Sequence, residues 1–433
     1  MKYKQILAGG RNNNFASRWL PCDVVFQHGN NSTLTDSDGG EYLDFHCNFG
    51  GNLFGHSNES YFENLITYMT MQNSNSLSFL CEEVAGEIQS CFPSMEMIRF
   101  SQTGTEAVNA AFRLSRAYTG RKKIIRFVGH YHGHTDNILG GTYDGINLFP
   151  TAFEGDARAS IGTIDCEKEN QTFILPWNNL ELIKEVMEEH YADIAGIIME
   201  PLNMNGGGIL PDIEYISSLR HLCSKYEIVL IFDEIITGIR TGLGGYQQKL
   251  RISPDITVIG KALSGGICPV SAVGGRADIM KLLEEYKVVH AGTFNGYHFG
   301  MGAVLTTLRL LQEESHKRLH RMWTCGERIR EELAIIAGEH GLPLTTQGHA
   351  GGFCVHLCKE SLMSNEEWTR SLQMQENNLQ QLFFQDRVLT SPALRFYMNT
   401  DLTDTEISRF LERANKVFEQ YVNRFGIPSN ASL

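Results

Sequence analysis

Short, unbroken apolar runs separated by amphipathic stretches set the frame of this chain. Ile228–Phe232, Ile256–Ile259 and Asp193–Met199 are dominated by β-branched and aliphatic residues and end abruptly in polar or glycine positions. Runs of this length fit strands buried on both faces, the kind found in parallel sheets covered by helices. Between two of them, Pro211 to Tyr226 has helical periodicity, so strand–helix–strand is the repeating unit. Lys122–Phe127 reads as another strand. Before it, Ala107, Ala110, Ala111, Leu114, Ala117 and Tyr118 recur at helical spacing until Gly120 stops the pattern.

The ends read differently. Val24–Phe26 and Ser32–Thr35 flank a Gly-Asn-Asn turn, and Asp36–Gly40 forms a second turn before Glu41–Phe45, which predicts a small antiparallel meander. From Gly302 a long helical pattern begins. Residues 320–430 then alternate helices with short strands such as Gly352–Leu357, closing on a helix from Thr403 onward. The expected class is α/β, with a mostly parallel central sheet in a large unit at 49–305. A smaller α/β unit at 306–433 packs with the N-terminal segment 1–48. Residues 140–172 are rich in Gly, Asn and Asp and too long for a plain connection, which suggests a lid or substrate-shaping loop.

Composition narrows the function. At 433 residues the chain can bury a substantial core, and 42% hydrophobic with 20% charged residues is ordinary for a globular enzyme. A net charge of -13 argues against nucleic acid or an anionic membrane as the main partner. No run of about eighteen apolar residues predicts a membrane span. The first residues, MKYKQILAGGRNNNF, lack the apolar stretch of a signal peptide. The ten cysteines are scattered without CxxC pairing and read as free thiols of a cytoplasmic protein. His130, His132 and His134 crowd one turn, but no acidic or cysteine cluster joins them, so no metal site is expected.

Two strand ends carry the candidate chemistry. Asp233 and Glu234 follow Ile228–Phe232, placing carboxylates at the carboxyl end of a buried strand, where open α/β sheets bind ligands. Gly260 and Lys261 leave the second run among small residues. A lysine in so dry a place loses preference for its ammonium form and becomes a nucleophilic amine. An acid and a desolvated lysine about thirty residues apart suit an internal imine with pyridoxal 5′-phosphate. In that arrangement the acid keeps the pyridine nitrogen protonated.

The local sequences agree. FDEIITGIR at 232–240, SPDITVIGKALSGG at 253–266 and AVGGRADIM at 272–280 closely resemble the class III (subgroup II) pyridoxal-phosphate-dependent aminotransferases. Within these the chain is most similar to the glutamate-1-semialdehyde aminomutase branch and the β-amino-acid aminotransferases near it. The resemblance implies fold type I, the aspartate aminotransferase-like architecture. It also implies a role for each matching position. Lys261 forms the imine and Asp233 faces the ring nitrogen. Thr103, Gly104 and Thr105, at a helix N-terminus resembling the family's "SGTEA" loop, cradle the phosphate. Tyr131 of the "YHGH" turn stacks on one ring face with His132 nearby, and Ile235 lies against the other. Glu200 of the "EP" dipeptide precedes Asn205, which approaches the cofactor's phenolic oxygen. Gly292 and Thr293 match the "GT" motif that reaches the phosphate of the other subunit, which implies a homodimer.

Three departures bear on the substrate. The family's N-terminal arginine has no clean counterpart; Arg18 is the nearest residue and Arg11 another. The position of the mutase glutamate falls on Leu394, with Arg395 beside it as a rival for a substrate acid group. Tyr297 and His298 stand where a small polar residue and proline are usual. The expected activity is therefore transfer of an amino group from an amino donor to a keto or aldehyde acceptor. A β-keto acid or a keto acyl group on an acyl carrier protein is among the acceptors that fit. Intramolecular amine transfer of the glutamate-1-semialdehyde aminomutase type is the alternative.

Overall fold

The parallel strands of one sheet end on the same edge, and that edge holds the candidate chemistry. A computed structural model describes residues 6–8, 12, 24–71, 77–136, 142–143, 146–147, 172–368 and 370–428. Strands β1 (Phe26–Asn30), β2 (Thr33–Asp36) and β3 (Glu41–Asp44) form the expected antiparallel meander. Its first turn is displaced from the Gly-Asn-Asn reading. β1 continues through Gly29, and Asn30 pairs with Thr33, so the chain reverses on Asn31 and Ser32. Asn31 takes φ 50°, a left-handed conformation that asparagine tolerates. The Glu406 carboxylate fixes it from the last helix, accepting from Asn31 Nδ2 (2.7 Å) and the Ser32 amide (3.0 Å).

The main sheet is built from β4 (Met97–Ser101), β5 (Lys123–Phe127), β6 (Thr142–Tyr143), β7 (Ile146–Asn147), β8 (Thr172–Leu175), β9 (Ile194–Met199), β10 (Val229–Glu234), β11 (Ile256–Ile259) and β12 (Ser271–Gly275). Their spatial order is β4-β12-β11-β10-β9-β5-β8-β6-β7. β11, β10, β9, β5 and β8 run parallel. β12 is antiparallel to both of its neighbours, so β4 points the same way as β11. The carboxyl ends of β4, β5, β8, β9, β10 and β11 therefore share an edge, as the apolar runs and the βαβ repeat predict.

β10 shows why the run Ile228–Phe232 is apolar throughout. Val229 and Ile231 pack into the core beneath the helix Gly104–Thr119, whereas Leu230 and Phe232 join the core on the opposite face. With no solvent on either side, alternation has nothing to mark. Leu230, Ile231 and Phe232 are completely buried, which stabilises the strand by roughly 1.5–3 kcal/mol per side chain relative to exposure.

A third, antiparallel sheet comprises β13 (Thr345–His349), β14 (Gly352–His356) and β16 (Arg395–Tyr397). Between the last two in sequence, β15 (Val388–Leu389) pairs parallel with β3 and so ties the N-terminal meander to the C-terminal third. One apolar core runs from Leu43 through Phe232 and Leu308 to Tyr421. The helix expected from Gly302 begins at His298 and continues to Gln312, passing through the border expected at 305. His298 hid that first turn from the sequence pattern. It is a polar residue with no exposure, its ring nitrogens hydrogen-bonded to Ser78 Oγ (2.7 Å) and the Tyr68 carbonyl (3.0 Å). Among the described residues no helix is long and apolar enough to cross a membrane.

Candidate active site

Asp233, next to last in β10, has a buried side chain with a hydrogen bond to each oxygen. Its Oδ2 accepts from His132 Nδ1 at 2.8 Å and its Oδ1 from the Ile235 amide at 3.1 Å. His132 comes from the turn after β5, two strands away in the sheet. Its other ring nitrogen, Nε2, is buried and has no partner among the described residues. Burial, with the nearby Asp233 charge adding to it, pushes the Tyr131 phenol up to about 12.

Lys261 opens a short 3₁₀ turn directly after β11, with φ 48°. A left-handed conformation at a non-glycine residue costs about 1 kcal/mol or more and marks a position fixed by its surroundings. The glycines that follow explain how the turn fits. A Cβ on Gly265 would strike the Tyr61 ring, and one on Gly266 would strike Asn52. The Lys261 amine is brought down to about 8. Burial is the main cause and Arg395 adds to it, while Glu200 and Asp233 partly offset both. Near neutral pH a usable fraction of the amine is thus unprotonated, as the strand-end reading expects.

The helix Gly104–Thr119 starts beside this group. Thr103 is its N-cap in a reciprocal box with Glu106: the Thr103 hydroxyl accepts from the Glu106 amide, and Glu106 Oε2 accepts from the Thr103 amide at 2.8 Å. The Thr103 hydroxyl is therefore committed to the cap, leaving Gly104 and Thr105 to present the helix's open N–H end. Two close approaches shape that end. A Cβ on Gly104 would sit 2.4 Å from Ile235 Cδ1, and one on Gly133 (φ 103°) would sit 2.6 Å from Thr105 Oγ1. The turn after β5 and the residues after β10 thus both close on the helix N-terminus.

Glu200, after β9, organises the remaining wall. It is buried, which raises its pKa, and its Oε1 accepts from the Tyr131 amide and from Asn205 Nδ2, both at 2.8 Å. Asn205 Oδ1 in turn accepts from Arg395 Nη1 at 2.6 Å. Arg395 reaches inward from a tight turn in which Ala393 (φ 63°) and Leu394 (φ 44°) are both left-handed. It is 6% exposed, and its Nε has no partner among the described residues.

Two features of the wall escaped the sequence reading. Cys47, Asn48 and Phe49 take φ of 45°, 49° and 55° ahead of Gly50 at 81°, a full left-handed turn made largely of ordinary residues. Arg240, 1% exposed, holds it. Its guanidinium donates to the carbonyls of Gly50 (2.8 Å), Asn52 (2.6 Å), Gly351 (3.1 Å) and Met398 (2.5 Å). His46, just before this turn, feels the charges of Arg395 and Lys261; burial chiefly, and then those charges, bring it to about 4 against the pull of Asp44. The only sequence signal was the pair Gly50-Gly51, which says nothing of the three residues before it.

Gly292 and Thr293 lie on the surface, away from burial. Arg18 and Arg11 fall outside the described residues, as does most of the loop expected at 140–172.

The sheet order and a lysine, acid and helix N-terminus gathered on one edge define a fold-type-I transferase. A family profile, Aminotransferase class-III, matches residues 15–396. The chain is 32% identical over 410 residues to glutamate-1-semialdehyde 2,1-aminomutase of Persephonella marina, covering 92% of this chain and 91% of that one. An omega-transaminase from Sphaerobacter thermophilus superimposes with a TM-score of 0.88 at 26% identity, covering 97% and 96% of the two chains. A transaminase with PLP bound gives 0.83 at 26% identity, covering 98% and 96%. This chain belongs to the class-III aminotransferases. Their cofactor is pyridoxal 5′-phosphate, and the residues present fit it. An amine of lowered pKa, a buried acid backed by His132, and a helix N-terminus narrowed by Gly104 and Gly133 are the donor set an aldehyde, a ring nitrogen and a phosphate require.

Proposed function

We propose that the protein transfers an amino group between two separate molecules, a small amino donor and a keto or aldehyde acceptor that carries an acid group. The observation that carries this reading is Arg395, a buried guanidinium beside Lys261 with Nε free of partners among the described residues, next to Leu394 where the mutase glutamate is expected. A β-keto acid suits it, as does a keto acyl group presented by an acyl carrier protein. In this reading Lys261, Asp233, Gly104, Thr105, Tyr131, His132, Ile235, Glu200 and Asn205 hold the cofactor, Thr103 caps the helix whose N-terminus faces its phosphate, and Gly292 with Thr293 reach the phosphate of the partner in a homodimer. The exposed apolar side chains of Tyr286, Val289 and Phe294 around that motif support such an interface. The net charge and the free thiols support a cytoplasmic setting.

When bound, pyridoxal phosphate supplies an electron sink for the carbon that carries the amine. The chain's residues do the rest. Lys261 Nζ would take up the proton that this carbon releases and pass it on to the carbon that gains one, a role its lowered pKa permits near neutral pH. Asp233, held by His132 and the Ile235 amide, keeps a proton on the ring nitrogen. Arg395 orients the acid group by charge-assisted hydrogen bonds.

The test is the absorbance of the purified protein as amine donors are added singly. Conversion of the visible band by a donor alone supports transfer between two molecules. A band that no donor converts, with turnover of one added substrate, supports the aminomutase reading, which the similarity to the Persephonella marina enzyme keeps in view. Arg395→Ala is expected to raise KM for acid acceptors roughly 10- to 100-fold while leaving the band in place. An unchanged KM would remove Arg395 from the substrate site.

A further inference from the structure

We infer that His356 and Glu376 form a buried ion pair that holds the turn after β9, and with it Asn205, in place, which makes His356 a positioning residue for the cofactor wall. This rests on the reading that Asn205 faces the cofactor.

The hydrogen bonds assign the protons. His356, with no exposure, places Nε2 2.7 Å from the Gly207 carbonyl and Nδ1 2.9 Å from Glu376 Oε1. A carbonyl only accepts, so Nε2 carries a proton. Glu376, 1% exposed, accepts from Trp368 Nε1 on Oε2 at 2.8 Å and from the Leu357 amide on Oε1 at 3.4 Å. The donors around it favour the carboxylate form, to which Nδ1 then donates as well. The ring is therefore an imidazolium with both N–H groups used. Burial opposes the charge, but the carboxylate and the Gly207 carbonyl outweigh it and raise the histidine above its ordinary range.

The pair stands where two sheets meet. His356 ends β14, Glu376 lies on the helix Arg370–Gln385, and Gly207 is two residues past Asn205. Gly207 has φ 100°, and a Cβ there would come within 3.2 Å of the His356 ring, so the turn is folded directly onto the imidazolium. Arg395 on β16 donates to Asn205 Oδ1 and also to the Met204 carbonyl (3.4 Å). The Asn205 turn is thus gripped from both sides, once by each cation. Of the other titratable groups, burial and then Glu376's charge raise Cys358 to about 11 and Tyr421, on the last helix, to about 12; Glu367 adds to the effect on Cys358. Burial and Glu376 also raise Cys354, against Arg395. None of them changes charge near His356. Because the folded pKa lies above the unfolded value of about 6.5, the pair's contribution is full below that pH and is lost as pH rises through the folded pKa.

The test begins with cofactor-free protein carrying ¹³C-labelled histidine, His356→Gln giving the assignment. The His356 signal should have the imidazolium shift at pH 7.5, and in Glu376→Gln it should titrate at or below about 6.5. A neutral ring at pH 7.5 in the wild type overturns the ion pair. Pyridoxal phosphate affinity is then measured for Asn205→Ala, His356→Gln and the milder Trp368→Phe, which removes one donor to Glu376 and keeps an aromatic ring. His356→Gln should weaken binding roughly tenfold and Trp368→Phe less, with the His356 effect absent when Asn205 is already alanine. Normal affinity in His356→Gln beside weakened Asn205→Ala overturns the positioning role alone. Normal affinity in both overturns the cofactor-facing reading of Asn205 and the positioning role with it.

Discussion

Lys261→Ala will lose both the visible absorbance of the bound cofactor and turnover, the latter by on the order of 10⁴-fold. The size follows from losing the imine-forming amine and the proton carrier together. Near this amine the guanidiniums of Arg395 and Arg240 cannot give up a proton near neutral pH, and the His46 imidazole, brought to about 4, is a weak base that cannot take the amine's place. Alanine also removes a side chain held at φ 48° without removing a core residue, so the fold should persist. Absorbance and single-turnover measurements on the purified variant check this. A variant with the band and turnover intact would refute the assignment of Lys261.

Asp233→Asn is expected to cut kcat by roughly 10²- to 10⁴-fold at nearly unchanged stability. Asparagine keeps the volume and can accept from the Ile235 amide through its carbonyl oxygen, while its amide nitrogen donates to His132 Nδ1 once that ring takes its other tautomer. It cannot hold a proton on a ring nitrogen, so the loss should fall on the chemical step. Steady-state kinetics with a denaturation midpoint distinguishes the two effects. A kcat within tenfold of wild type would place Asp233 outside the chemistry.

How much of this was readable depends on where the determinants lie. β10 and β11 were legible because burial on both faces leaves an uninterrupted apolar run, and Asp233 and Lys261 because each follows its run at once. The cap at Thr103 and the stop at Gly120 are local chemistry and appear where the pattern puts them. The helix start at His298 was not legible, because a polar residue satisfied by Ser78 and Tyr68, over 200 positions away, resembles a surface residue in sequence. The same holds for Arg240 and for the His356–Glu376 pair: a charged residue reads as solvated until the fold supplies its buried partners. The left-handed turn at Cys47–Phe49 escaped because its cost is met by Arg240, and nothing within the turn announces it.

Arg240 also dictates an order of events as the chain emerges. Its partners lie 190 and 188 positions before it, at Gly50 and Asn52, and 111 and 158 after it, at Gly351 and Met398. The first two are present when Arg240 is synthesised, but the last two are not. At about 5–20 residues per second, the wait for Met398 is on the order of ten to thirty seconds. Throughout that interval the wall beside Lys261 lacks its final ties, and the catalytic edge can assemble only after nearly the whole polypeptide has been made. Long-range closure of this kind is slow to find, so the last ties of this wall form long after its central strands have paired.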